Sequence, residues 1–375
     1  MKILHVGNLC NNSYVMAKFL RRKGIEADLL LYSDSIIGLS DPEWEDEELS
    51  NGYPSWIKII ERPPAPVTTN RQRFELLRSY VERFSMMRRY DLIHASCMAP
   101  IFVQFCFRPY VAHCMGSDIL ELAQENSLRG KLMKGAYEKA EMVLYSGDYM
   151  AEKIVKHKLK NSHFFPLPMD VEKYSPLKHS LGYDRYDFII FHPTALDWTY
   201  KGKDRVSTKG NDRFFRAVSR FVRGGGNPLL IVLDRGVDVE STHELISKLD
   251  LGKNVIFLPE MKKKELINFI NGSDLIVDQF DVGGLGGIAR EAMCCGKPVL
   301  MYVNTEFSSL FYQEPPPILN AHLEDEIYER LIEASDARKR RRMGRKAREW
   351  ILKHFHWEKI TNKLIFYYNI ILGLE

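Results

Sequence analysis

The stretch that decides the fold is residues 275–302, LIVDQFDVGGLGGIAREAMCCGKPVLMY. Its pattern predicts a strand, a turn, a helix and a second strand, at 275–277, 281–287, 288–295 and 299–302. Gly296 and Pro298 follow the helix, and both residue types commonly end helices. Glycines let backbone amides approach a ligand, and the first turn of a helix favours negative charge. The turn therefore predicts an anion site, with Glu291 near the helix start.

The same alternation of short apolar strands and helices runs along the whole chain. The segments predicted as strands are 2–6, 27–32, 92–94, 110–113, 142–145, 188–192, 229–233, 255–258, 275–277 and 299–302. The longer segments predicted as helices are 70–89, 210–223, 240–250, 262–272, 288–295 and the tail from 325. Residues 34–66 are interpreted as an irregular excursion with one short helix. Strands that alternate with helices favour parallel sheets, with ligands near the carboxyl ends of the strands.

Two domains are expected, because 375 residues exceed one ordinary core. The segment HFFPLPMDVEKYSP at 163–176 contains three prolines that stiffen a connection. We therefore place an N-terminal Rossmann-like domain at 1–170 and a C-terminal one at 171–350. Residues 351–375 are expected to form a helix that returns towards the N-terminal domain.

Composition excludes several classes of protein. The hydrophobic fraction is 45%, and no window reaches the roughly 18 uninterrupted apolar residues of a membrane span. The N-terminus is too short and too polar for a secretory signal, which predicts a cytoplasmic protein. Six cysteines without metal-ligand spacing predict buried, reduced thiols. A net charge of +4 argues against nucleic acid as the main partner.

The segment EAMCCGKPV at 291–299, preceded by its acidic and glycine-rich turn, resembles the signature of family-4 glycosyltransferases (glycosyl transferases group 1) of the GT-B fold. The resemblance implies an α/β fold of two Rossmann-like domains whose parallel sheets face each other across a cleft. It also implies a nucleotide-diphosphate sugar, most simply linked to UDP or GDP, as co-substrate. Neither a cofactor nor a metal is expected, since no aspartate pair resembles the metal motif of the other common glycosyltransferase fold.

The family carries two glutamates separated by seven residues, and this chain departs from that pattern. The second falls on Glu291, whose carboxylate is suited to accept hydrogen bonds from both hydroxyls of a ribose. The first would fall at Gly283, with Asp281 as a stand-in. The alternative interpretation of Glu291 is a solvated helix residue. The turn residues that the resemblance assigns to the nucleotide sugar are Gly283, Gly284, Leu285, Gly286 and Gly287.

A basic segment at 191–217, FHPTALDWTYKGKDRVSTKGNDRFFRA, supplies the cations that the family places around the donor diphosphate. Lys209, directly before Gly210, matches the family lysine, and Arg205 is the best match for the arginine, although Lys201 and Lys203 also compete. Fixed cations stabilise a diphosphate leaving group more in the transition state than in the ground state. A solvated basic loop is the alternative.

The N-terminal half supplies five further candidates. PYVAHCMGSDI at 109–119 resembles the family segment whose histidine faces the donor sugar, but Met115 occupies that position. His113 lies two residues earlier and would share a strand face with it, so we expect His113 to reach the same cleft unless it is structural. His94 is expected to line the cleft. The first turn offers Gly7, Asn11 and Asn12 to the acceptor or the donor phosphates, or an asparagine there simply caps the helix.

Two more features follow from the resemblance. The turn Asp234, Arg235 and Gly236 is expected to border the nucleoside base. Basic clusters at 18–23 and 71–89 lie in the half that binds the acceptor in the family, and they are either solvated faces or a peripheral contact with the inner face of an anionic membrane.

Together these patterns predict a retaining, metal-independent glycosyltransferase that moves a sugar from a nucleotide-diphosphate donor to a glycan or lipid-linked acceptor. Two alternatives remain open. One is a nucleotide-sugar epimerase or hydrolase of the same fold. The other is a catalytically silent GT-B-like subunit that binds nucleotide sugar, which the missing first glutamate and Met115 would favour.

Overall fold

The computed structural model describes residues 1–62, 69–159, 161–199 and 208–374. The chain divides into two α/β units, one of Met1–Pro168 with Trp357–Glu375 and one of Met169–His356. The boundary expected at 170 lies two residues from this division, and residues 351–356 belong to the second unit. Each unit has its own sheet and its own apolar core.

In the described residues of the first unit, seven parallel strands form one sheet in the order β3-β2-β1-β4-β5-β6-β7. The strands are β1 (Lys2–Val6), β2 (Glu26–Tyr32), β3 (Ile57–Ile60), β4 (Leu92–Ser96), β5 (Tyr110–Cys114), β6 (Met142–Tyr145) and β7 (Ser162–Phe164). The helices are α1 (Asn12–Arg22), α2 (Pro42–Glu45), α3 (Asn70–Met87), α4 (Pro100–Val103), α5 (Ser117–Leu120), α6 (Leu128–Lys139) and α7 (Ala151–Lys156). Short 3-10 helices fill turns at Leu9–Asn11, Ser33–Ser35, Gly38–Ser40, Glu47–Asn51, Leu122–Gln124 and Asp148–Met150.

In the second unit, the described residues contain a six-stranded parallel sheet in the order β10-β9-β8-β11-β12-β13. The strands are β8 (Phe188–His192), β9 (Pro228–Leu233), β10 (Val255–Leu258), β11 (Leu275–Val277), β12 (Val299–Met301) and β13 (Leu319–Asn320). The helices are α8 (Asn211–Arg223), α9 (Val239–Lys248), α10 (Lys263–Gly272), α11 (Gly287–Cys294), α12 (Thr305–Tyr312), α13 (Glu324–Ser335) and α14 (Ala337–Phe355).

The final helix, α15 (Trp357–Leu372), packs in the first unit. Trp357 stacks on Phe19 of α1 with ring centroids 4.9 Å apart. Tyr367 and Tyr368 lie in the core cluster that also contains residues of β1, β4, β5 and β6. The tail therefore completes the apolar core of the N-terminal sheet.

The ten strands predicted from the sequence all occur, each within two residues of its predicted bounds. The reason is physical, because strands covered on both faces read as continuous apolar runs. Three edge strands were not predicted. The interpretation of 34–66 as irregular is wrong at β3, and β7 and β13 were missed because edge strands of two to four residues are too short for periodicity to identify. No described helix combines the length and apolar character of a membrane span.

Candidate functional site

The strand order of the C-terminal sheet reverses between β8 and β11. These two strands are neighbours, and the chain continues from β8 to β9 on one side and from β11 to β12 on the other. In an open parallel sheet such a switch point leaves a crevice beyond the carboxyl ends of the two strands. The turns that start at Pro193 and Asp278 flank it. The residues predicted to bind the donor diphosphate and sugar fall in or near these two turns.

Gln279 shapes the glycine turn from inside. Its side-chain amide donates to the carbonyl of Gly284 at 2.9 Å, and its side-chain oxygen accepts from the backbone N–H groups of Asp281 (3.2 Å) and Val282 (2.6 Å). The side chain is buried. This role could not be predicted from the sequence, since a glutamine after a strand has many uses. The turn is thus held in one shape by a side chain that faces away from solvent.

Gly283, where the family pattern has its first glutamate, has φ +77°. A Cβ built there would lie 3.1 Å from the ring of Tyr302, and the Gly283 carbonyl accepts from the Asn304 N–H at 2.8 Å. A glutamate at this position would be strained because side-chain-bearing residues rarely adopt this conformation. The departure from the family pattern therefore goes together with a left-handed backbone.

The first turn of α11 is partly occupied by a carboxylate of the protein itself. Asp278 accepts from the backbone N–H of Ala289 at 3.2 Å and from the hydroxyl of Thr194 at 3.0 Å. A Cβ on Gly286 would lie 2.3 Å from this carboxylate, so the glycine makes room for it. Burial raises the pKa of Asp278, and the nearby positive charge of Lys209 opposes that shift. The anion site predicted at this helix start thus already holds one internal carboxylate.

Lys209 is fixed through its backbone. Its N–H donates to the Asp197 carbonyl at 2.7 Å, and its own carbonyl accepts from the Phe280 N–H at 2.7 Å. Gly210 follows with φ +66° and starts α8. The lysine is therefore held between the two turns of the switch point with its side chain only partly buried. Arg205 lies outside the described residues, as do Lys201 and Lys203.

Asp281 forms an ion pair with Arg213, a residue that the sequence interpretation missed. Arg213 also donates to the carbonyl of Phe280 at 3.3 Å, and it lies in the first turn of α8. A Cβ on Gly210 would overlap its guanidinium. The carboxylate proposed to stand in for the missing glutamate is therefore already paired, and the pairing places a second cation beside Lys209 and the glycine turn.

Glu291 lies in the second turn of α11 and is 7% exposed. Its Oε1 accepts from the ammonium of Lys263, the first residue of α10. The interpretation as a solvated helix glutamate does not fit this burial. Lys263 could not be found from the sequence, because it lies 28 residues earlier on another helix. The ion pair holds the Glu291 carboxylate in one place.

The turn expected to border the base is engaged in structural contacts. Asp234 pairs with His243 at 2.8 Å and Arg235 with Glu260 at 2.8 Å. A Cβ on Gly236 would lie 2.5 Å from backbone atoms of Leu196. The absence of a side chain at 236 therefore lets two turns of the C-terminal edge pack backbone to backbone.

In the first unit the corresponding switch point lies between β1 and β4. A Cβ on Gly7 would lie 2.5 Å from the Ser96 carbonyl oxygen, so this glycine permits close packing of the two turns. Asn11 is 2% exposed with φ 58°, and its amide donates to the Asp41 carbonyl at 2.6 Å. Asn12 donates to the sulfur of Met115 at 3.8 Å. Neither asparagine caps α1 through its side chain, so the capping alternative is wrong.

His94 and His113 are fully buried, which corrects the expectation that they line a cleft. Their rings are hydrogen-bonded to each other, with His94 Nε2 2.9 Å from His113 Nδ1. The argument from strand alternation fails because β5 ends at Cys114, so Met115 lies beyond the strand. Burial lowers the pKa of His113 to about 3, which keeps the ring neutral at ordinary pH.

Comparison with known proteins finds a family model that matches part of the second unit. Residues 203–350 match the family model described as Glycosyl transferases group 1. A GDP-mannose-dependent monoacylated alpha-(1-6)-phosphatidylinositol monomannoside mannosyltransferase of Corynebacterium glutamicum is 25% identical over 167 residues, which is 42% of this chain and 43% of that protein. The match thus spans less than half of the length of this curated relative.

Two solved structures resemble the chain over nearly all of its length. Anabaena HepE, in complex with UDP and glucose, gives a TM-score of 0.75 at 16% identity and covers 98% of this chain and 99% of that chain. Sucrose-phosphate synthase from Thermosynechococcus elongatus gives 0.71 at 15% identity over 100% of both chains. Likeness at these identities shows the fold. Residues 203–350 are therefore similar to the glycosyl transferases group 1 family, and the chain as a whole has the GT-B fold.

Proposed function

We propose that the chain is a retaining glycosyltransferase that moves a sugar from a nucleotide-diphosphate donor to a glycan or lipid-linked acceptor. The observation that carries the proposal is the switch point between β8 and β11. There a fixed lysine, Lys209, and a braced glycine turn lie within the region that matches the family model. This arrangement is suited to bind an anionic ligand that also carries a sugar.

The chemistry follows from the charges at this edge. Lys209 and Arg213 present cations towards a leaving diphosphate, and Arg205 would add a third. As the glycosidic bond breaks, negative charge grows on the phosphate oxygen, and preorganised cations stabilise that charge. The departing phosphate then takes the acceptor proton on the same face of the sugar, so neither a protein base nor a metal or other cofactor is needed.

Glu291 supplies orientation in this proposal. A carboxylate fixed by Lys263 can accept from both ribose hydroxyls without first being ordered, which lowers the entropic cost of binding. Asp234, Arg235 and Gly236 follow β9 at the same edge of the sheet and would border the base. The turn residues Gly283 to Gly287 would contact the sugar and the phosphates through their backbone.

The donor nucleotide is proposed to be UDP or GDP. Solved structures of Anabaena HepE contain UDP, UDP-glucose, or UDP and glucose, and the mannosyltransferase relative is named as GDP-mannose-dependent. A lipid-linked or polysaccharide acceptor would place the protein in the cytoplasm, at the inner face of the membrane, in the synthesis of a cell-envelope glycan.

The surface proposed to meet such a membrane is α3 and the residues that follow it, not α1. Lys18 of α1 pairs with Asp46 at 2.7 Å, and Lys23, directly after α1, pairs with Glu358 at 2.7 Å. The α3 segment instead exposes three apolar side chains at helical spacing, Phe74, Leu77 and Val81. Residues 70–89 carry six arginines and two glutamates, so this segment alone accounts for a charge of +4.

The test uses the full chain in a thermal-shift panel of UDP, GDP, ADP and their glucose and mannose conjugates, followed by product analysis with glycan and lipid-linked acceptors. Ligand at a hundred times its dissociation constant adds about 2.7 kcal/mol of stability. A stabilising nucleotide with transfer of its sugar, α-configured donor giving α-configured product, is the expected result. Isomerised or hydrolysed nucleotide sugar would identify the epimerase or hydrolase alternative. Stabilisation without reaction on any acceptor would favour a silent binding subunit, and a panel without any shift would overturn the proposal.

A further inference from the structure

A continuous chain of hydrogen bonds crosses the core of the first unit. The Tyr368 hydroxyl lies 2.6 Å from His94 Nδ1, His94 Nε2 lies 2.9 Å from His113 Nδ1, and His113 Nε2 lies 2.7 Å from the Ser146 hydroxyl. The first three residues are fully buried, whereas Ser146 is half-buried directly after β6. The chain thus connects α15 to the carboxyl edge of the sheet, where ligands of parallel sheets bind.

Only two proton arrangements are compatible with this chain. Burial lowers the pKa of His113 to about 3 and that of His94 well below its ordinary value, so both rings are neutral. A neutral imidazole has one N–H donor and one acceptor nitrogen. All three hydrogen bonds are therefore donated in the same direction. The direction is either outward, from Tyr368 towards Ser146, or inward, from Ser146 towards Tyr368.

The outward direction satisfies more of the buried groups. In the inward arrangement the Tyr368 hydroxyl accepts from His94, and its own proton has no other partner within the described part of the chain. A buried donor without an acceptor costs free energy. In the outward arrangement the Tyr368 hydroxyl and the N–H groups of both histidines each have an acceptor. Ser146 then accepts from His113, and its hydroxyl proton is available to a ligand.

A buried carboxylate lies two residues after Ser146. Asp148 is 4% exposed, and its Oδ1 accepts from the backbone N–H of Tyr149 at 2.9 Å. Its Oδ2 is buried and has no hydrogen-bond partner among the described residues. Ser146 offers a donor and Asp148 an acceptor, which together are the complement of a hydroxyl group, whereas a phosphate would be repelled by the carboxylate. The pair of groups therefore matches a sugar hydroxyl.

We propose that Ser146 and Asp148 form a contact for a sugar hydroxyl at the carboxyl end of β6, in which Ser146 donates and Asp148 accepts. Tyr368, His94 and His113 are positioning residues that fix the direction of the Ser146 hydroxyl. The inference rests on the proposed function only in naming the ligand as a sugar. The donor sugar and the acceptor glycan share this chemistry, and the experiments below separate them.

The direction of donation along these hydrogen bonds is tested without any substrate. The full chain is labelled with ¹⁵N-histidine, and the tautomers are read from the nitrogen chemical shifts and couplings at pH 7. His94 and His113 are both expected as the Nε2–H tautomer, and Tyr368→Phe is expected to shift the His94 Nδ1 resonance most. An Nδ1–H tautomer at either ring would place the Ser146 proton in the inward bond and overturn the proposal, whether or not the chain is a glycosyltransferase.

The contact is tested by titrating the same labelled protein with UDP, UDP-glucose, GDP, GDP-mannose, glucose and mannose. If a nucleotide sugar changes the chemical shift of His113 Nε2 and its nucleotide does not, the contact binds the donor sugar. If free sugar alone changes that chemical shift, the contact binds the acceptor. Ser146→Ala and Asp148→Asn should each weaken that same binding at least tenfold, while Ser146→Thr restores most of it and the exposed control Ser85→Ala changes nothing. If no sugar changes the chemical shift of His113 Nε2, or if the affinity of both variants lies within twofold of wild type, the contact does not exist. If the wild-type protein binds none of the nucleotides, that result would instead count against the proposed function.

Discussion

Gly236 and Leu196 are in direct backbone contact at the carboxyl edge of the C-terminal sheet. A Cβ at residue 236 would lie 2.5 Å from both the nitrogen and the carbonyl oxygen of Leu196, and Gly236 has φ +122°. The neighbouring Leu196 N–H donates to the Arg235 carbonyl at 2.7 Å. The turn after β9 therefore supports the turn after β8, which leads towards Lys209.

Gly236→Ala is expected to destabilise the C-terminal unit by about 3 kcal/mol, because it adds both backbone strain and a steric overlap. Equilibrium unfolding in urea, followed by circular dichroism, measures the change. Gly252→Ala is the matched control, since a Cβ there meets open space, and it should stay within about 0.5 kcal/mol of wild type. A Gly236→Ala protein as stable as that control would show that the two turns can separate at little cost.

Lys209→Ala is expected to lower kcat for sugar transfer at least about 100-fold while leaving the fold intact. The backbone bonds of residue 209 to Asp197 and Phe280 do not involve the removed side chain. Initial rates at saturating donor, together with the melting temperature, separate the two effects. Lys248→Ala, on the exposed face of α9, should retain full activity. Full activity in Lys209→Ala would remove the lysine from the mechanism.

Glu291→Gln is expected to weaken binding of the donor nucleotide roughly 10-fold to 100-fold, because hydrogen bonds to a charged acceptor contribute about 1.5–3 kcal/mol. Lys263→Met should weaken it by a smaller factor, since it removes the cation that holds the carboxylate but not the carboxylate itself. Isothermal titration with UDP and GDP measures both. Glu265→Gln, exposed on α10, is the control. Unchanged affinity in Glu291→Gln would mean that the Lys263 pair is only structural.

The sequence was sufficient for the fold but only for part of the site. Parallel strands such as β8 are buried on both faces, so they can be predicted from their apolar runs. The turn at 281–287 can be predicted from its glycine content. Partners across the fold carry no such signal. Lys263 meets Glu291 and Arg213 meets Asp281 only because separate helices pack at one edge, and periodicity within a helix does not specify its neighbours. Whether His113 and Met115 share a strand face depends on where β5 ends, which sequence patterns locate only to within a few residues.

His5 is expected to make the protein sensitive to acid. Burial lowers its pKa to about 3, and neither ring nitrogen has a hydrogen-bond partner among the described residues. The unfolded chain, with an ordinary pKa near 6.5, then binds a proton that the native state excludes. The contribution of His5 to stability is complete above pH 6.5 and falls by up to about 1.4 kcal/mol for each pH unit below it.

His5→Leu removes this proton difference, so its free energy of unfolding should rise relative to wild type as the pH is lowered from 7 to 5. At pH 7 the substitution should be close to neutral, because an apolar side chain of similar size replaces a buried polar ring without partners. Urea unfolding at pH 7, 6 and 5 measures the difference. The exposed His179→Leu is the control, and parallel profiles for His5→Leu and wild type would contradict the assignment.

Membrane contact is expected to depend on the exposed apolar side chains of α3. Phe74, Leu77 and Val81 are 68%, 63% and 60% exposed, and burying each in a lipid interface would contribute roughly 1.5–3 kcal/mol. Nearby arginines add about 1 kcal/mol each near an anionic surface. The triple substitution to serine should therefore reduce cosedimentation with phosphatidylglycerol vesicles more than tenfold, and raising the salt concentration should weaken wild-type binding. A control with serine at the exposed Leu128, Val155 and Val237 should bind as wild type does. Equal binding by both triple variants would exclude α3 as the docking surface.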